Sequence, residues 1–506
     1  MYCTVTSMGL SGVVAYKLSL EVREGLGFGS FTIEGLSNVD IKECAERIRS
    51  AFINSGLEYP ANGLCISILP SQNSKGVGIY DLPIMIGILK NTGILTGDIS
   101  SYAFVGKVSP EGKLLPVSGI LPMVLKAKEE GIKKIFIPKE NAPEGAVATG
   151  VKVYAVNHVM DVVDFINGEK MLKALSPGKI RYETEKESQP DFQDVVGQFE
   201  AKRALEIAAA GFHNVILIGP PGAGKSMLAK RIPSILPEMT FEESIEVTKI
   251  HSVCGTLPRE ISLLDKRPFR APSHRISAEQ LIGGKDPAKP GEISLANKGV
   301  LFLDELPEYS RMAMEELGKP LSSGKVVIGK DIVYPCSTML VAAMNPCPCG
   351  FYGHPSRKCT CSESSIRKYL AKVSGPIMEG IDLHIQVMPV EFVEIDKKEK
   401  CESSLEIRKR VNAARKIQIE RYKGTGITAN SELQHELLAK YCVLSEDVRK
   451  LLKDAFLVMG ISESAYDNIL RVSRTIADLD GSKNIEKKHV AEALQYRSLD
   501  RKSWGE

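Results

Sequence analysis

A glycine-rich segment near the middle of the 506-residue chain carries the residues best suited to chemistry. It follows the apolar run Val215–Ile218 and reads Gly219, Pro220, Pro221, Gly222, Ala223, Gly224, Lys225, Ser226 and Met227. A strand, a glycine-rich turn and a helix in this order predict a phosphate-binding loop. The glycines let backbone N–H groups approach the phosphates, and the helix N-terminus adds its dipole. Lys225 would contact the β- and γ-phosphates, and the Ser226 hydroxyl would ligate magnesium. A glycine-rich turn without a ligand is the alternative.

Acidic and amide side chains end two further apolar runs. Asp304 and Glu305 follow residues 299–303, and Asn345 follows Met339–Met344. The carboxyl ends of parallel strands meet at one edge of a sheet, where ligands bind. We therefore expect Asp304 to hold magnesium and Glu305 to polarise the attacking water. Asn345 would orient that water or sense the γ-phosphate, unless it is only a residue of the following turn.

Cysteines are concentrated in one short segment. Four of the eleven form two C-x-C pairs, Cys347 with Cys349 and Cys359 with Cys361. Four thiolates match the ligand set of a structural zinc site. C-x-C is tighter than the usual C-x-x-C spacing, and His354 could replace one ligand. Free thiols or a redox pair are the alternatives.

Four segments of different pattern position these residues. Residues 1–170 alternate strand and helix patterns, which predicts a separate α/β or α+β domain. Residues 171–190 are mostly polar and predict a linker. Residues 191–393 repeat strands and helices in the manner of an α/β, doubly wound parallel sheet. Residues 394–506 predict a domain made of helices.

Periodicity predicts several individual elements. Residues 64–69 and 134–138 are apolar runs typical of strands, and residues 123–130 follow a helical pattern. In the C-terminal segment, four apolar residues are expected to share one helix face: Ile407, Val411, Ala414 and Ile417.

Composition restricts the class of protein and its partners. Hydrophobic residues make up 43% of the chain and charged residues 25%, which excludes a largely disordered protein. The formal net charge is only +3, so nucleic acid would be bound by a local patch. No apolar run approaches the roughly 20 residues that cross a bilayer, and the N-terminus does not read as a secretory signal. Together with scattered cysteines, these features predict a cytoplasmic protein without a membrane partner.

The motifs together resemble the YifB/ComM family of magnesium-chelatase-like AAA+ ATPases. The matching stretches are residues 31–36, 81–83, 119–141, 194–198, 201–206, 267–272, 290–295, 303–308, 344–350, 374–376, 381–384 and 474–479. The resemblance implies an N-terminal domain similar to the Lon protease fold, an AAA+ module with a magnesium-chelatase-type insertion, and a helical lid. It also implies ATP and magnesium as ligands, and ring homo-oligomers, usually hexamers. The best-studied branch promotes branch migration of DNA during natural transformation, as a helicase-like motor.

Two departures from the family patterns affect activity. The positions of the Lon serine and lysine look like Ile84 and Leu121, so we expect a scaffold without proteolytic activity. The arginine finger of the family corresponds to Gly380, and a lid arginine corresponds to Ser464. A finger contributes about a thousandfold to turnover. Either another arginine takes over the role of the finger, or ATP is hydrolysed slowly. The candidate replacements are Arg367, Arg471 and Arg474.

Two groups of basic residues are candidates for DNA contact. The first group lies on a predicted helix and consists of Arg408, Lys409, Arg410, Arg415 and Lys416. These residues could follow a phosphate backbone, or they could simply form a solvated helix face. The other lies in the insertion, and the resemblance makes its members the better candidates: Arg270, His274, Arg275 and Lys285.

We therefore predict an oligomeric AAA+ ATPase that moves along DNA, with ATP, magnesium and zinc as ligands. A nucleotide-gated chaperone or chelatase-like assembly protein with weak ATP hydrolysis is the alternative.

Overall fold

The computed structural model describes most of the chain. The described residues are 2–28, 30–34, 38–70, 77–176, 180, 182, 190–285, 288–329, 331–373, 375–390, 401–459 and 462–497. Within these ranges, no helix combines the length and the apolar character that crossing a bilayer requires.

The N-terminal part is built on a mixed sheet. Its strands are β1 (Tyr2–Ser11), β2 (Val14–Phe28), β3 (Phe31–Glu34), β4 (Asn62–Leu69), β5 (Tyr102–Phe104), β6 (Lys107–Val108), β7 (Leu114–Leu115), β8 (Lys134–Pro138) and β9 (Lys152–Val156). Seven of them form one sheet in the order β3-β4-β2-β1-β5-β8-β9, and β6 pairs with β7. The strands expected at 64–69 and 134–138 are confirmed as β4 and β8.

Five helices accompany this sheet: α1 (Asn38–Asn54), α2 (Asp81–Asn91), α3 (Ile120–Glu129), α4 (Ala142–Gly145) and α5 (Val159–Asn167). The apolar helix α2 is buried, and the Asp81 carboxylate at its start is bound by Arg47 at 3.0 Å through two nitrogens. The helix expected at 123–130 begins earlier, at Ile120. Pro122 is accommodated because the first turn of a helix does not need its N–H.

The central part contains a second sheet. Its strands are β10 (Val215–Ile218), β11 (Phe269–Arg270), β14 (Val300–Leu303), β17 (Met339–Met344) and β18 (Leu383–Gln386). Two hairpins lie outside this sheet: β12 (Gly283–Lys285) pairs with β13 (Ala288–Pro290), and β15 (Lys325–Ile328) pairs with β16 (Ile332–Pro335). The five sheet strands are parallel in the order β11-β14-β17-β10-β18. Every residue of β10, β14 and β17 is buried, as in sheets covered on both faces. The α/β class with a parallel P-loop sheet is therefore confirmed.

Eight helices surround the parallel sheet: α6 (Phe199–Gly211), α7 (Lys225–Ala229), α8 (Phe241–Cys254), α9 (Ala278–Ile282), α10 (Glu292–Leu295), α11 (Arg311–Ser323), α12 (Glu363–Leu370) and α13 (Gly375–Glu379). The C-terminal part is helical, with α14 (Ser404–Arg421), α15 (His435–Tyr441), α16 (Glu446–Met459), α17 (Glu463–Leu479) and α18 (Lys487–Gln495).

The apolar face of α14 differs from the expected one by a single residue. Ile407, Val411 and Ala414 are buried, but Ile417 is 39% exposed and Gln418 is buried in its place. At 3.6 residues per turn, position 418 lies over 407, 411 and 414, whereas position 417 lies about 80° to one side. The Gln418 side chain is satisfied there because it donates to the Ala210 carbonyl at 3.1 Å and accepts from the Asn430 N–H at 3.0 Å.

The three parts of the chain share interfaces. Apolar residues of α6, β10, α14 and α17 belong to one buried cluster, so the C-terminal helices pack on the nucleotide sheet. The N-terminal part contacts α8, where Ser252 Oγ donates to the Glu144 carboxylate at 2.5 Å. Beside this bond, three side chains form a small apolar cluster: Leu121, Val147 and Leu263.

Candidate active site

The predicted phosphate-binding loop joins β10 to α7. Gly222 and Gly224 have φ of +79° and +92°, in the left-handed region that favours glycine. A Cβ at Gly219 would lie 2.0 Å from the Val387 carbonyl oxygen, so only glycine fits there. Pro220 and Ala223 are buried, whereas Pro221 and Met227 are exposed at the outer surface of the loop.

The Lys225 ammonium lies inside this loop. Its Nζ donates to the carbonyl oxygens of Gly219 at 2.7 Å and Pro220 at 2.9 Å, and to Asn345 Oδ1 at 3.1 Å. Burial lowers the pKa of Lys225, and the nearby carboxylates of Asp304 and Glu305 partly oppose that shift. The lysine is therefore held by weak neutral acceptors that a phosphate oxygen can replace.

Ser226 and Asp304 form a pair of oxygen ligands. Ser226 Oγ donates to Asp304 Oδ2 at 2.7 Å, although the two residues come from α7 and from the end of β14. The other carboxylate oxygen of Asp304 accepts the Glu305 N–H at 3.0 Å. A hydroxyl and a carboxylate are oxygen donors of the kind that magnesium prefers, so the donor set fits that ion.

Glu305 has an unusual backbone conformation. Its φ is +55°, in the left-handed region, where a residue other than glycine is strained by about 1–2 kcal/mol. Its side chain is 60% exposed, and the carboxylate lies 3.5 Å from His274 Nδ1. Strain of this kind is concentrated at functional sites. The contact with His274 joins residues 31 positions apart, and no sequence pattern predicted it.

Asn345 lies at the end of β17 and connects two parts of the site. Its amide oxygen accepts from Lys225, and Met344, the residue before it, packs in the same buried apolar cluster as Tyr369. The structure therefore brings together Lys225, Ser226, Asp304, Glu305 and Asn345 at the carboxyl edge of the parallel sheet.

The four cysteines of residues 347–361, here called the cysteine cluster, lie directly after Asn345. Their sulfur atoms are all within 4.8 Å of one another. Cys347 Sγ lies 3.4 Å from Cys349 Sγ and 3.7 Å from Cys359 Sγ, and Cys349 lies 3.6 Å from Cys359. Tetrahedral zinc with Zn–S bonds of about 2.3 Å requires sulfur separations of about 3.8 Å. The arrangement therefore fits one tetrahedral ion.

Backbone N–H groups also point at the sulfur atoms of the cluster. Cys361 Sγ accepts from the Cys349 N–H and Cys359 Sγ accepts from the Cys361 N–H, both at 3.4 Å. The N–H groups of Phe351 and Thr360 lower the pKa of Cys349 to about 5, whereas the pKa values of Cys347, Cys359 and Cys361 are raised. Thiolates are the form that binds metal. His354 does not join the cluster, since its Nδ1 accepts from the N–H groups of Ser356 and Arg357.

The three arginines that could replace the missing finger have different surroundings. Arg474 is 3% exposed and ion-paired with Asp478 at 3.1 Å, and Arg471 donates to the Leu433 carbonyl and to Asn468 at 2.7 Å each. Arg367, on α12, is exposed, and no described residue forms an ion pair with it. Arg367 is thus the candidate whose guanidinium is accessible to another subunit.

The basic residues of α14 are mostly used within the chain. Arg410 pairs with Glu206 and Glu402, and Arg408 donates to the Ser234 carbonyl at 2.9 Å. Burial lowers the pKa of Arg415 to about 10. Lys409, Arg410 and Lys416 are the exposed members of the group. The three arginines therefore make contacts within the chain, and Arg410 does so on a part of the helix face that stays open to solvent.

The basic residues of the insertion are arranged differently. Arg270 forms two hydrogen bonds with Glu292, at 2.6 and 2.7 Å, and His274 contacts the Glu305 carboxylate. Arg275 is exposed, and the side chain of Lys285 lies outside the described residues. Only Arg275 of this group is seen in a position open to a ligand.

The two positions where the resemblance led us to expect the Lon dyad are both in apolar surroundings. The side chains of Ile84 and Leu121 are fully buried. Leu121 lies in the apolar cluster where the N-terminal part meets the central part.

Comparison with known proteins identifies the family. The model described as "Magnesium chelatase, subunit ChlI" matches residues 191–395, its C-terminal companion matches residues 401–497, and "Subunit ChlI of Mg-chelatase" matches residues 20–141. The competence protein ComM of Haemophilus influenzae is 38% identical over 513 residues, covering 98% of this chain and 97% of ComM. The chain belongs to the YifB/ComM family of magnesium-chelatase-like AAA+ proteins.

Two further relatives show how far the similarity extends along the chain. YifB of Escherichia coli is 37% identical over 495 residues, covering 97% of this chain and 96% of YifB. The magnesium-chelatase 67 kDa subunit of Chlorobaculum tepidum is 30% identical over 162 residues, covering 31% of this chain and 23% of that subunit. The match to YifB therefore covers nearly the whole chain, whereas the match to this single chelatase subunit covers about a third of it.

Proposed function

We propose that this protein is an ATPase that assembles into a ring, a hexamer by resemblance, and moves along DNA in branch migration or DNA uptake. The observation that supports it most is the convergence of Lys225, Ser226, Asp304 and Asn345 at one sheet edge. The name of the relative ComM, a competence protein, supports the link to DNA. The proposal includes a cytoplasmic location and the division into a Lon-like domain (1–170), a linker (171–190), a core (191–393) and a lid (394–506).

In this proposal each side chain of the site has one task. Lys225 exchanges its contacts with the carbonyls of Gly219 and Pro220 for phosphate oxygens. Ser226 and Asp304 hold magnesium, which when bound neutralises charge on the phosphates. Glu305 accepts a proton from the attacking water, a role worth about 10²- to 10⁴-fold in rate. Asn345 senses the γ-phosphate beside Lys225.

The arginine finger is assigned to Arg367 of the neighbouring subunit. Gly380 and Ser464 supply no guanidinium, and Arg474 is occupied by Asp478. A finger must reach across an interface, which requires an exposed side chain on the surface of the core. Arg367 meets that requirement in the described part of the chain.

A second candidate function is a nucleotide-gated assembly protein, as in metal-chelatase motors. The matches to the magnesium-chelatase subunit models and the missing arginines at 380 and 464 favour it. Such a motor remodels a partner with a metal-binding, integrin-type domain. Binding of DNA by the purified protein would distinguish the two functions.

The test is steady-state ATP hydrolysis by the full chain, with and without single-stranded and forked DNA. Glu305→Gln serves as the control that keeps the nucleotide loop intact. We expect turnover that rises with DNA and is lost in the control. Tight ATP binding with turnover no higher than that of the control would refute the motor and favour the assembly protein.

We also propose that the cysteine cluster holds one structural zinc ion. Four thiolates within 4.8 Å and N–H groups directed at the sulfurs support this. Purified protein should contain one zinc per chain, and Cys347→Ser should reduce zinc content and thermal stability. Zinc well below one per chain, or a Cys347→Ser variant with unchanged zinc and stability, would exclude the site.

A further inference from the structure

The cysteine cluster and the nucleotide loop are joined by a very short piece of chain. Cys347 is two residues after Asn345, whose amide oxygen accepts from Lys225 Nζ at 3.1 Å. A ligand that fixes Cys347 therefore restricts the position of a side chain that contacts the phosphate-binding lysine. The sequence predicted both sites but gave no sign that they touch.

A second contact joins the cluster to the loop directly. Gly350 closes a turn with Cys347, its N–H donating to the Cys347 carbonyl at 2.9 Å. A Cβ at Gly350 would lie 2.5 Å from Pro221 Cδ, so the turn of the cluster rests against the nucleotide loop. Gly353, in the same segment, has a φ of +74°, similar to the +83° of Gly350. A Cβ at Gly353 would have no atom within 4 Å.

A third contact comes from the other end of the cluster. Ser362, the residue after Cys361, caps α12 by accepting from the Ser365 N–H at 3.3 Å. One face of α12 is buried, and its Tyr369 packs in the same apolar cluster as Met344, the residue before Asn345. The chain on both sides of the cluster therefore packs at the end of β17, next to Asn345.

We propose that metal bound by the cysteine cluster fixes Asn345 and Pro221 around Lys225, so that metal and nucleotide bind this protein cooperatively. This inference rests on the proposed nucleotide and zinc sites. Coupling between two sites is reciprocal: if metal strengthens nucleotide binding, nucleotide must strengthen metal binding by the same factor. Couplings of this kind are about 5- to 150-fold.

The first test measures both directions of the coupling in the full chain. Affinity for a fluorescent ATP analogue with magnesium is measured before and after zinc is removed by a chelator. Zinc release to a chromogenic chelator is followed with and without saturating analogue. We expect at least an approximately fivefold loss of nucleotide affinity without zinc, and slower zinc release with nucleotide.

The second test separates the contact from the metal. Gly350→Ala adds a methyl group against Pro221 but keeps all four cysteines, and Gly353→Ala is the matched control with the same left-handed strain. We expect Gly350→Ala to retain one zinc per chain and to bind the analogue at least about fivefold more weakly. Gly353→Ala should match the parent in both measurements.

The possible failures can be told apart. A parent that binds no nucleotide refutes the proposed function together with this inference. A parent that binds nucleotide but contains no zinc refutes the zinc site and this inference. A parent that binds both, with equal nucleotide affinity with and without zinc and equal affinity in Gly350→Ala, refutes the coupling alone.

Discussion

Arg474 and Arg367 offer a direct test of how burial decides the role of a charged side chain. We predict that Arg474→Ala destabilises the protein, whereas Arg367→Ala leaves stability unchanged and lowers ATP turnover. Both arginines are candidates for the same missing finger on sequence alone. Only their surroundings distinguish them.

The size of the Arg474 effect follows from its contacts. The guanidinium donates to the carbonyls of Ser482 at 2.7 Å and Lys483 at 2.9 Å, and pairs with Asp478, whose side chain is fully buried. Removing one partner of a buried ion pair costs about 3–5 kcal/mol. Because Arg421 still pairs with Asp478, we expect the lower value, about 3 kcal/mol. At about 2 °C or more per kcal/mol, the melting midpoint should fall by roughly 6 °C or more.

The Arg367 effect is expected only in catalysis. Surface substitutions usually change stability by less than about 0.5 kcal/mol. Loss of a finger lowers turnover by about a thousandfold. The Lys225→Ala variant allows the trans arrangement to be tested, because in the proposed ring a mixture of subunits would contain interfaces with an intact Lys225 and an intact Arg367.

The assays are thermal unfolding and steady-state ATP hydrolysis of each variant, followed by hydrolysis after mixing Arg367→Ala with Lys225→Ala subunits. Recovery of turnover in the mixture is expected. If Arg474→Ala melts with the parent but hydrolyses ATP a thousandfold more slowly, the structural role of Arg474 is wrong. If Arg367→Ala retains full turnover, Arg367 is not the finger.

Three further changes test the site and its supports. Glu305→Gln should bind nucleotide like the parent in equilibrium titrations but release phosphate about 10²- to 10⁴-fold more slowly; equal rates would exclude the proton-accepting role. Leu263 packs in the cluster with Leu121, so Leu263→Ala should lower the free energy of unfolding by about 2–5 kcal/mol, as measured by thermal unfolding. Met171 is 98% exposed, so Met171→Ala should leave that free energy unchanged. Burial lowers the pKa of His251, so the stability from its neutral ring is present above pH 6.5 and is lost as pH falls through the folded pKa. His251→Gln should flatten the fall in stability as the pH drops below about 6.5, and an unchanged slope there would contradict this.

Features that depend on local pattern could be predicted well. The apolar runs of β10, β14 and β17 predicted buried parallel strands, and the polar residues that end them were expected to converge. The prediction failed where it depended on the rotation of each residue around the helix axis rather than on the spacing of apolar residues. Ile417 was assigned to the buried face of α14, but the rotation per residue places Gln418 there.

The sequence by itself determined the chemistry available to this protein. The order strand, glycine-rich turn, Lys225 and Ser226 is contiguous, and parallel strands must present Asp304 and Asn345 at the same edge. The family follows from the same residues. These features are accessible from sequence because each depends on neighbours along the chain.

The tertiary structure decided what each charged or reactive group can do. It pairs Arg474 with Asp478, places Arg367 at the surface, and puts His274 against Glu305. It also brings the cysteine cluster against the nucleotide loop. The physical reason is that burial and pairing fix the availability of a charge. Asp478 is only four residues from Arg474 on the same helix, but the burial of that pair and the contact of His274 with Glu305 depend on parts of the chain that no local pattern connects.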